Sequence, residues 1–415
     1  HNPMVGVYNS SAVTFNFGQD SSFAGNHATA NANADENGHG SFAYAPPSGY
    51  LALCSQNLPD VAIIDGSEYF NTLLWTGDGS QTRSLTGANF QPDFSWLKIR
   101  SGTTQDHQLY DSVRGAGGGK TLASNTTAIE GTANEVSDSD YGFVSSFDVD
   151  GFSVDDGAVA TTGGYVNYSG RTYAAWNWKA GGTAVSNTDG SITSNVSANT
   201  DAGFSIATWT GNATAGATIG HGLNSAPEML WIKDRDNAGY NWIVYHKDVG
   251  NDRYFLLNTT AAQSSASQAF LNTTTPTNSL VTLGGNGWGL NQNAESHVGY
   301  FFHSVDGYSK VGSYTGNGSS DGPFVYTGFR PAFWLMKSIS DATHWVIYDS
   351  ARETFNAVQD QLLPNEANAE AASGRPVDFL SNGVKIRFSS YLNDSGQTYI
   401  YLAFAENPFK FANAR

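Results

Sequence analysis

An aromatic-Thr-Gly tripeptide recurs as Trp75-Thr76-Gly77, Trp209-Thr210-Gly211 and Tyr314-Thr315-Gly316, and the residues downstream of these copies keep a common spacing. A proline stands 17, 18 and 17 residues later (Pro92, Pro227, Pro331), and a lysine six residues past each proline, in PDFSWLK (Lys98), PEMLWIK (Lys233) and PAFWLMK (Lys337). Tyr110, Tyr245 and Tyr348 come 12, 12 and 11 residues beyond the lysine. Three residues before that tyrosine stand Trp242 and Trp345 in the second and third copies and His107 in the first. Farther on come Asp150-Gly151, Asn286-Gly287 and Asn382-Gly383, strong hairpin signals, and each copy closes on an aromatic segment, YAAWNW, VGYFFH or YIYLAF. The period is far longer than the roughly 20–50 residues of a solenoid rung or propeller blade, so each copy is expected to be a whole β domain.

Composition agrees. Forty-six Gly, 13% aromatic and only 14% charged residues describe many short strands joined by tight turns. The expected class is all-β, with tandem β-sandwich modules of jelly-roll or concanavalin-like type and very little helix; one or two helical turns are expected only at 365–372, where Glu and Ala follow Pro364. The domain reading is a partial sandwich over 1–58, then modules at 59–181, 182–305 and 306–415, with Ala180 to Ala202, rich in Gly, Ser, Thr and Asn, as a linker. The second and third modules join without one and are expected to pack together.

A net charge of −17 repels phosphate backbones and argues against a nucleic-acid partner. The single Cys54, in the apolar segment LALCS read as a packed strand, excludes a disulfide framework. No apolar run is long enough for a membrane span, and the start His1-Asn2-Pro3-Met4 has neither the charge nor the apolar stretch of a signal peptide, so the chain is expected to begin inside a longer product.

VGVYNSSAVTFNFGQDSSFAG followed by FAYAPPSGYLALCSQNLPD resembles the closing strands of SPRY-type β-sandwich domains in bacteriophage virion proteins. The three modules resemble an uncharacterised repeat that comes after such a segment in tail-fibre and other structural proteins, especially of marine phages; the segments that carry this are SVDGYSKVGSYTGNGSSDGPFVYTGFRPAFWLMK, VDFLSNGVKIR and TYIYLAFAENPFKFANAR. The resemblance implies a virion location in the tail or a surface appendage, and a task of host-surface adhesion. It implies as partners other virion proteins, a homo-oligomer with a trimer as the first form to test, and a host glycan or protein. The opening strands of the SPRY-like domain are absent, so its ligand loops have no counterpart here.

Candidate chemistry is sparse. RGAGGGKTL (114–122) has Arg114 where a phosphate-binding loop needs glycine, and reads as a surface loop. Asp148, Asp150, Asp155 and Asp156 in FDVDGFSVDD could supply oxygen ligands to calcium, although the other copies lack these acids and a solvated hairpin explains them too. Calcium is therefore the one cofactor considered. Asp111 and Asp349 share one repeat position with His246, which suggests structural pairing with Arg114 and Arg352 three residues on. The histidines show no zinc spacing and there is no nucleophile elbow; carboxylate pairs for glycoside cleavage are a spatial matter that keeps a polysaccharide depolymerase as the enzymatic alternative. Asn125, Asn258 and Asn272 begin Asn-x-Ser/Thr triplets expected from composition alone. The candidate ligand contact is Tyr240, an aromatic in the loop NAGYNW where a ring could stack on a sugar. The twelve repeated Trp, Tyr, Pro and Lys residues are read as scaffold, and no residue is assigned to catalysis. A structural or binding component is thus expected, with a capsid decoration or connector protein as the non-adhesive alternative.

Overall fold

The computed structural model describes residues 15–27, 32–102, 104–132, 138–158, 164–265 and 270–410. Residues 5–14 and 411–415, parts of two segments that carry the resemblance, lie outside them. The chain divides into two compact units, His1–Val61 and Ala62–Arg415.

In the first unit the described residues form turns and one isolated bridge, Asn33 to Phe42, with no longer strand. LALCS is not a packed strand: Leu51 and Leu53 are exposed, only Ala52 is buried, and Cys54 precedes a short 3-10 turn at Ser55–Asn57. The organising residue is Asp35. Its carboxylate accepts from the Asn37, His39 and Ala52 amides and from Asn57 Nδ2, at 2.7–2.9 Å. Burial opposes the charge, but these four donors win and hold its pKa at about 2.

All three repeats lie in the second unit, and each builds an antiparallel sheet with the same core of four strands. In the first, the opening strand Phe70–Thr76 pairs with the closing strand Thr172–Trp178, which pairs with the proline strand Phe94–Ile99, which pairs with the tyrosine strand Gln108–Asp111. The second uses Phe204–Thr210, Ser296–Phe302, Met229–Asp234 and Ile243–His246 in that spatial order; the third uses Ser309–Thr315, Thr398–Pro408, Phe329–Ser338 and Val346–Asp349. A smaller outer sheet covers one face of each: strands from Thr82 to Thr86 and Phe143 to Asp155 in the first module, Thr218–Gly220 with Leu280–Thr282 in the second, and four strands including Phe324–Tyr326 and Gly383–Ile386 in the third. The protein is all-β, built of tandem β-sandwich modules, with one α-helical turn at Asp138–Tyr141 and two 3-10 turns, Ser55–Asn57 and Gly66–Glu68, among the described residues.

The closing and proline strands are buried on both faces, so they read as continuous apolar runs and not as alternating ones. In the first two modules their outer faces fill separate cores, with Leu97 and Tyr173 in the first and Ile232 and Phe301 in the second, whereas the third module's core is continuous with the common one. Their inner faces meet in one core common to all three modules. There Trp178, Phe302 and Phe404 occupy matching places near the ends of the closing strands; Phe404 lies 5.7 Å from Trp178 and 6.1 Å from Phe302, and Phe204 bridges the other two at 6.5 and 5.0 Å. Aromatic pairs at such separations add about 0.5–1.5 kcal/mol each beyond area burial.

Three local expectations are corrected. The 180–202 segment is no free linker: Ser194–Asn199 pairs along the second module's opening strand and Val185–Asn187 pairs with it in turn. Residues 365–372 contain no helix, because Asn365 is tied to the Trp345 amide within the third module, Glu370 is held by Arg100 of the first and Ala371 already begins a strand. The Asp150 and Asn382 turns do join hairpins, but Asn286-Gly287 lies beyond Leu280–Thr282, whose entry comes after the Thr277–Ser279 turn instead.

Candidate functional site

The aromatic-Thr-Gly signature is a pinned turn. Trp75 Nε1 donates to Val166 O (2.8 Å), Trp209 Nε1 to Leu290 O (3.1 Å) and Tyr314 Oη to Leu392 O (2.7 Å). The next residue is in each case a fully buried asparagine, Asn167, Asn291 or Asn393. Its side-chain oxygen accepts the amide after the glycine (Asp78, Asn212, Asn317), and its Nδ2 donates to Ser80 O, Thr214 O or Ser319 O. A Cβ on Gly77, Gly211 or Gly316 would stand 2.1, 2.1 or 2.4 Å from the carbonyl oxygen of the residue after the asparagine (Tyr168, Gln292 or Asp394), so only glycine allows the approach. Sequence reasoning misses the three asparagines, although Asn-x-Ser-Gly-x-Thr-Tyr is present at 167–173 and 393–399.

Of the other repeated residues, the prolines and tyrosines serve within their own modules and the lysines hold the modules to one another. Pro92, Pro227 and Pro331 are buried at the entry to their strands, where the next carbonyl accepts from Ser112, Lys247 or Ser350. Tyr110, Tyr245 and Tyr348 are buried on the tyrosine strands, and burial pushes the Tyr245 and Tyr348 hydroxyls up to about 12. The lysines reach across module boundaries. Lys98 Nζ donates to Ala367 O of the third module (3.0 Å), Lys233 Nζ to Thr127 O of the first (3.2 Å) and Lys337 Nζ to Thr260 O of the second (3.3 Å). The residue three before the tyrosine runs the same circuit: His107 Nε2 contacts Leu363 O, Trp242 Nε1 donates to Ala123 O and Trp345 Nε1 to Leu256 O. So do backbone bonds from Glu370 to Arg100, Glu130 to Arg235 and Gln263 to Ile339. First grips third, second grips first, third grips second, and the circuit closes.

The triplet Asp111, His246 and Asp349 obeys the same logic. Asp111 accepts from Tyr300 Oη of the second module and pairs with Arg114; Asp349 accepts from Trp176 Nε1 of the first and pairs with Arg352. The second module's counterpart meets the third module's closing strand at the Tyr401 backbone, where Leu402 brings no donor, and a neutral histidine stands there, its pKa held at about 4 by burial. An unpaired carboxylate at that place would be costly. Asn125 and Asn258 are also no accident of composition: with Asn365 they accept the backbone amides of His107, Trp242 and Trp345 in turn.

Against this threefold pattern one cluster stands out because it is not repeated. Asp234 ends the second module's proline strand, where the other modules have Ile99 and Ser338; Glu295 and His297 lead into its closing strand, where they have Arg171 and Tyr173 or Gln397 and Tyr399. Asp234 is fully buried. Its Oδ1 caps the turn by accepting from the Asp236 and Asn237 amides at 3.0 Å, while Oδ2 faces His297 Nε2 at 3.6 Å and has no donor. Glu295 Oε2 and His297 Nδ1 are likewise buried without partners. Burial, and then the Glu295 carboxylate as a hydrogen-bonding neighbour, raise the Asp234 carboxyl to about 7; burial lowers His297 to about 4. His297 is therefore neutral at neutral pH, and the 3.6 Å contact is not an ion pair. Three orphan polar atoms in one place, absent from both sister modules, are a departure from what the fold needs.

Tyr240 belongs to the same tip. It is half-buried over Gly289, its Oη accepts from Gln292 Nε2 at 2.7 Å, and its carbonyl accepts from Lys233. The calcium candidates are spread over separate tasks: Asp148 accepts from Ser146 and Ser153, Asp150 from the Gly87 and Asn89 amides, Asp155 from Gln81 and Gly157, while Asp156 Oδ1 is buried without a partner. Among the described residues no three His, Cys, Asp or Glu side chains are grouped to hold a metal ion. In the Gly-rich loop, Lys120 serves through its carbonyl, which accepts from Arg114.

No curated protein matches the chain. A family model described as a domain of unknown function, DUF7483, matches residues 65–408, from just before the first module's opening strand to the end of the third module's closing strand, and the chain belongs to that family.

Proposed function

We propose that the chain is a structural component of a bacteriophage virion, a tail-fibre, spike or appendage subunit that touches a host-surface glycan or protein. The observation that carries this reading is where the repeated polar side chains go: the lysines and asparagines common to the three copies, and the tryptophans and aspartates that two of them share, are engaged in turns and module contacts, which is the behaviour of a load-resisting scaffold. Specificity is then left to surfaces that the copies do not share. The third module offers one. Phe324 and Tyr326 point from the same face of an outer strand, 44% and 57% exposed, where the first module has Ser84 and Thr86 and the second Thr218 and Gly220. Beside them lie Lys385, paired with Asp321 at 2.7 Å, and Arg387, paired with Asp378 at 2.5 Å. Flat rings next to charged hydrogen-bonding groups suit a sugar, whose apolar face stacks while its hydroxyls are fixed.

The reading is tested by locating the chain in intact particles by antibody labelling, and by measuring binding of the purified protein to host cells. Tail labelling, and cell binding that the Phe324→Ala/Tyr326→Ala variant loses while its circular dichroism is unchanged, is the expected outcome. Labelling of the head shell without cell binding would favour a decoration protein, and release of new reducing ends from host polysaccharide would favour a depolymerase.

A further inference from the structure

We propose that Asp234 and Glu295 share one proton and act as a proton-operated latch on the contact between the second and first modules. Four observations lead there. Asp234 Oδ2 and Glu295 Oε2 are buried oxygens without a donor, and a proton held between the two carboxyls supplies one. Asp234 is wholly buried and faces a second wholly buried polar group, His297, whose ring is stacked on Trp209 at 5.5 Å and so cannot swing away. The arrangement is confined to one module of three, so the scaffold does not require it. Finally, the turn that Asp234 caps is the one that grips the first module: Lys233 Nζ bonds both Tyr240 O within the turn and Thr127 O across the boundary, and Arg235 pairs with Glu130, which is also bonded through its amide to Arg235 O.

The charged and titratable neighbours of the pair are Lys233, Arg235 and Asp236 on its own strand end, Glu295 and His297 on the closing strand, and Glu130 of the first module, which reaches the site through Arg235. Arg235 is committed to Glu130, and Lys233 Nζ to the Thr127, Asp234 and Tyr240 carbonyls, so neither is aimed at a second carboxylate. When the shared proton leaves, two adjacent carboxylates remain in a poorly solvated place. The Asp234 turn then separates from Glu295 and takes the Lys233 and Arg235 contacts with it.

The sign differs between local and global opening. Swinging out the turn frees Asp234 but leaves His297 packed under Trp209. The free carboxyl titrates at its ordinary 3.8 and the closed one at about 7, so the closed form holds the extra proton and local protection falls as pH rises between those values. Global unfolding also frees His297, whose folded pKa of about 4 lies below its ordinary 6.5; the unfolded chain then gains a proton over 4 to 6.5, and the two contributions cancel over most of the window.

The test is hydrogen exchange of the whole chain read by mass spectrometry, corrected for intrinsic rates, from pH 5 to 8. Amides of the 234–240 turn are expected to lose protection by about tenfold per pH unit up to pH 7 and to level off beyond. The matching 338–343 turn of the third module, which has Ser338, is the internal control and stays flat. Asp234→Asn removes the slope; Glu295→Gln moves its upper end to lower pH and carries the test if Asp234→Asn fails to fold. Equal slopes in the two turns, or a slope that survives in Asp234→Asn, overturns the latch.

Discussion

Among the described residues, two of the three module boundaries carry an ion pair and one does not. Between the first and third modules Arg100 pairs with Glu370 at 2.8 Å and Glu370 is shared with Arg352; between the second and first, Arg235 pairs with Glu130, which is shared with Arg114. Between the third and second the same backbone bond is made by Ile339 and Gln263, with His246 in place of the aspartate. What all three retain is the lysine, the indole or imidazole just before the tyrosine strand, and the backbone bond. Those are the requirements of closure, and the ion networks are additions tolerated where each buried charge has several partners.

The largest expected effect comes from breaking one charged boundary at its centre. Asp349→Ala takes the acceptor from the Trp176 indole and one of the two carboxylate partners from Arg352, which keeps Glu370, and is expected to cost about 3 kcal/mol in urea unfolding. His246→Leu at the uncharged boundary is expected to stay within about 1.5 kcal/mol, since the lost group is neutral. Equal costs would erase the distinction between the boundaries. A second measurement isolates the lysine where no arginine accompanies it. Burial lowers Lys337 to about 8 from 10.5, so the folded state releases its proton before the unfolded one, and stability rises with pH between those values by up to about 1.4 kcal/mol per unit. Lys337→Met should remove that rise from the difference between the two proteins, and a rise that persists in the variant would assign it elsewhere. The smallest effect is electrostatic: a double-mutant cycle on Arg100 and Glu370 is expected to give a coupling of about 1 kcal/mol that shrinks with added salt, whereas substitutions at Ile339 and Gln263 are insensitive to salt.

Much of this fold is legible in the sequence because its markers are local. The aromatic-Thr-Gly turn, the proline, the lysine and the tyrosine lie within one short stretch of each copy, so their spacing survives divergence. Asn167, Asn291 and Asn393 escape notice, because the loops before them differ in length and the second copy replaces Ser-Gly and Thr-Tyr by Asn-Ala and Ser-His. The circuit of contacts is invisible for a different reason: repetition reveals how many copies exist but says nothing of whether they stand in a row or close on themselves. The carboxyl pair is hidden by the opposite bias. Asp234 and Glu295 are far apart in the chain and meet only through the pairing of the proline and closing strands, and a search for repeated acids passes over residues whose significance is that they occur once.

Because the circuit closes between its first and last members, its assembly is tied to the order in which the chain is made. Residues 100 and 370 must meet, as must 98 and 367, so the inner face bearing Trp176 and Trp178 stays without its final cover until the third module has emerged. Two finished modules present an aromatic surface shaped for a third, and a neighbouring chain at the same stage carries suitable candidates. Long-range closure of this kind is slow compared with the hairpins that feed it. Exchange of modules between chains during production is therefore the misfolding route built into the architecture, and dilution during refolding should favour the single-chain form.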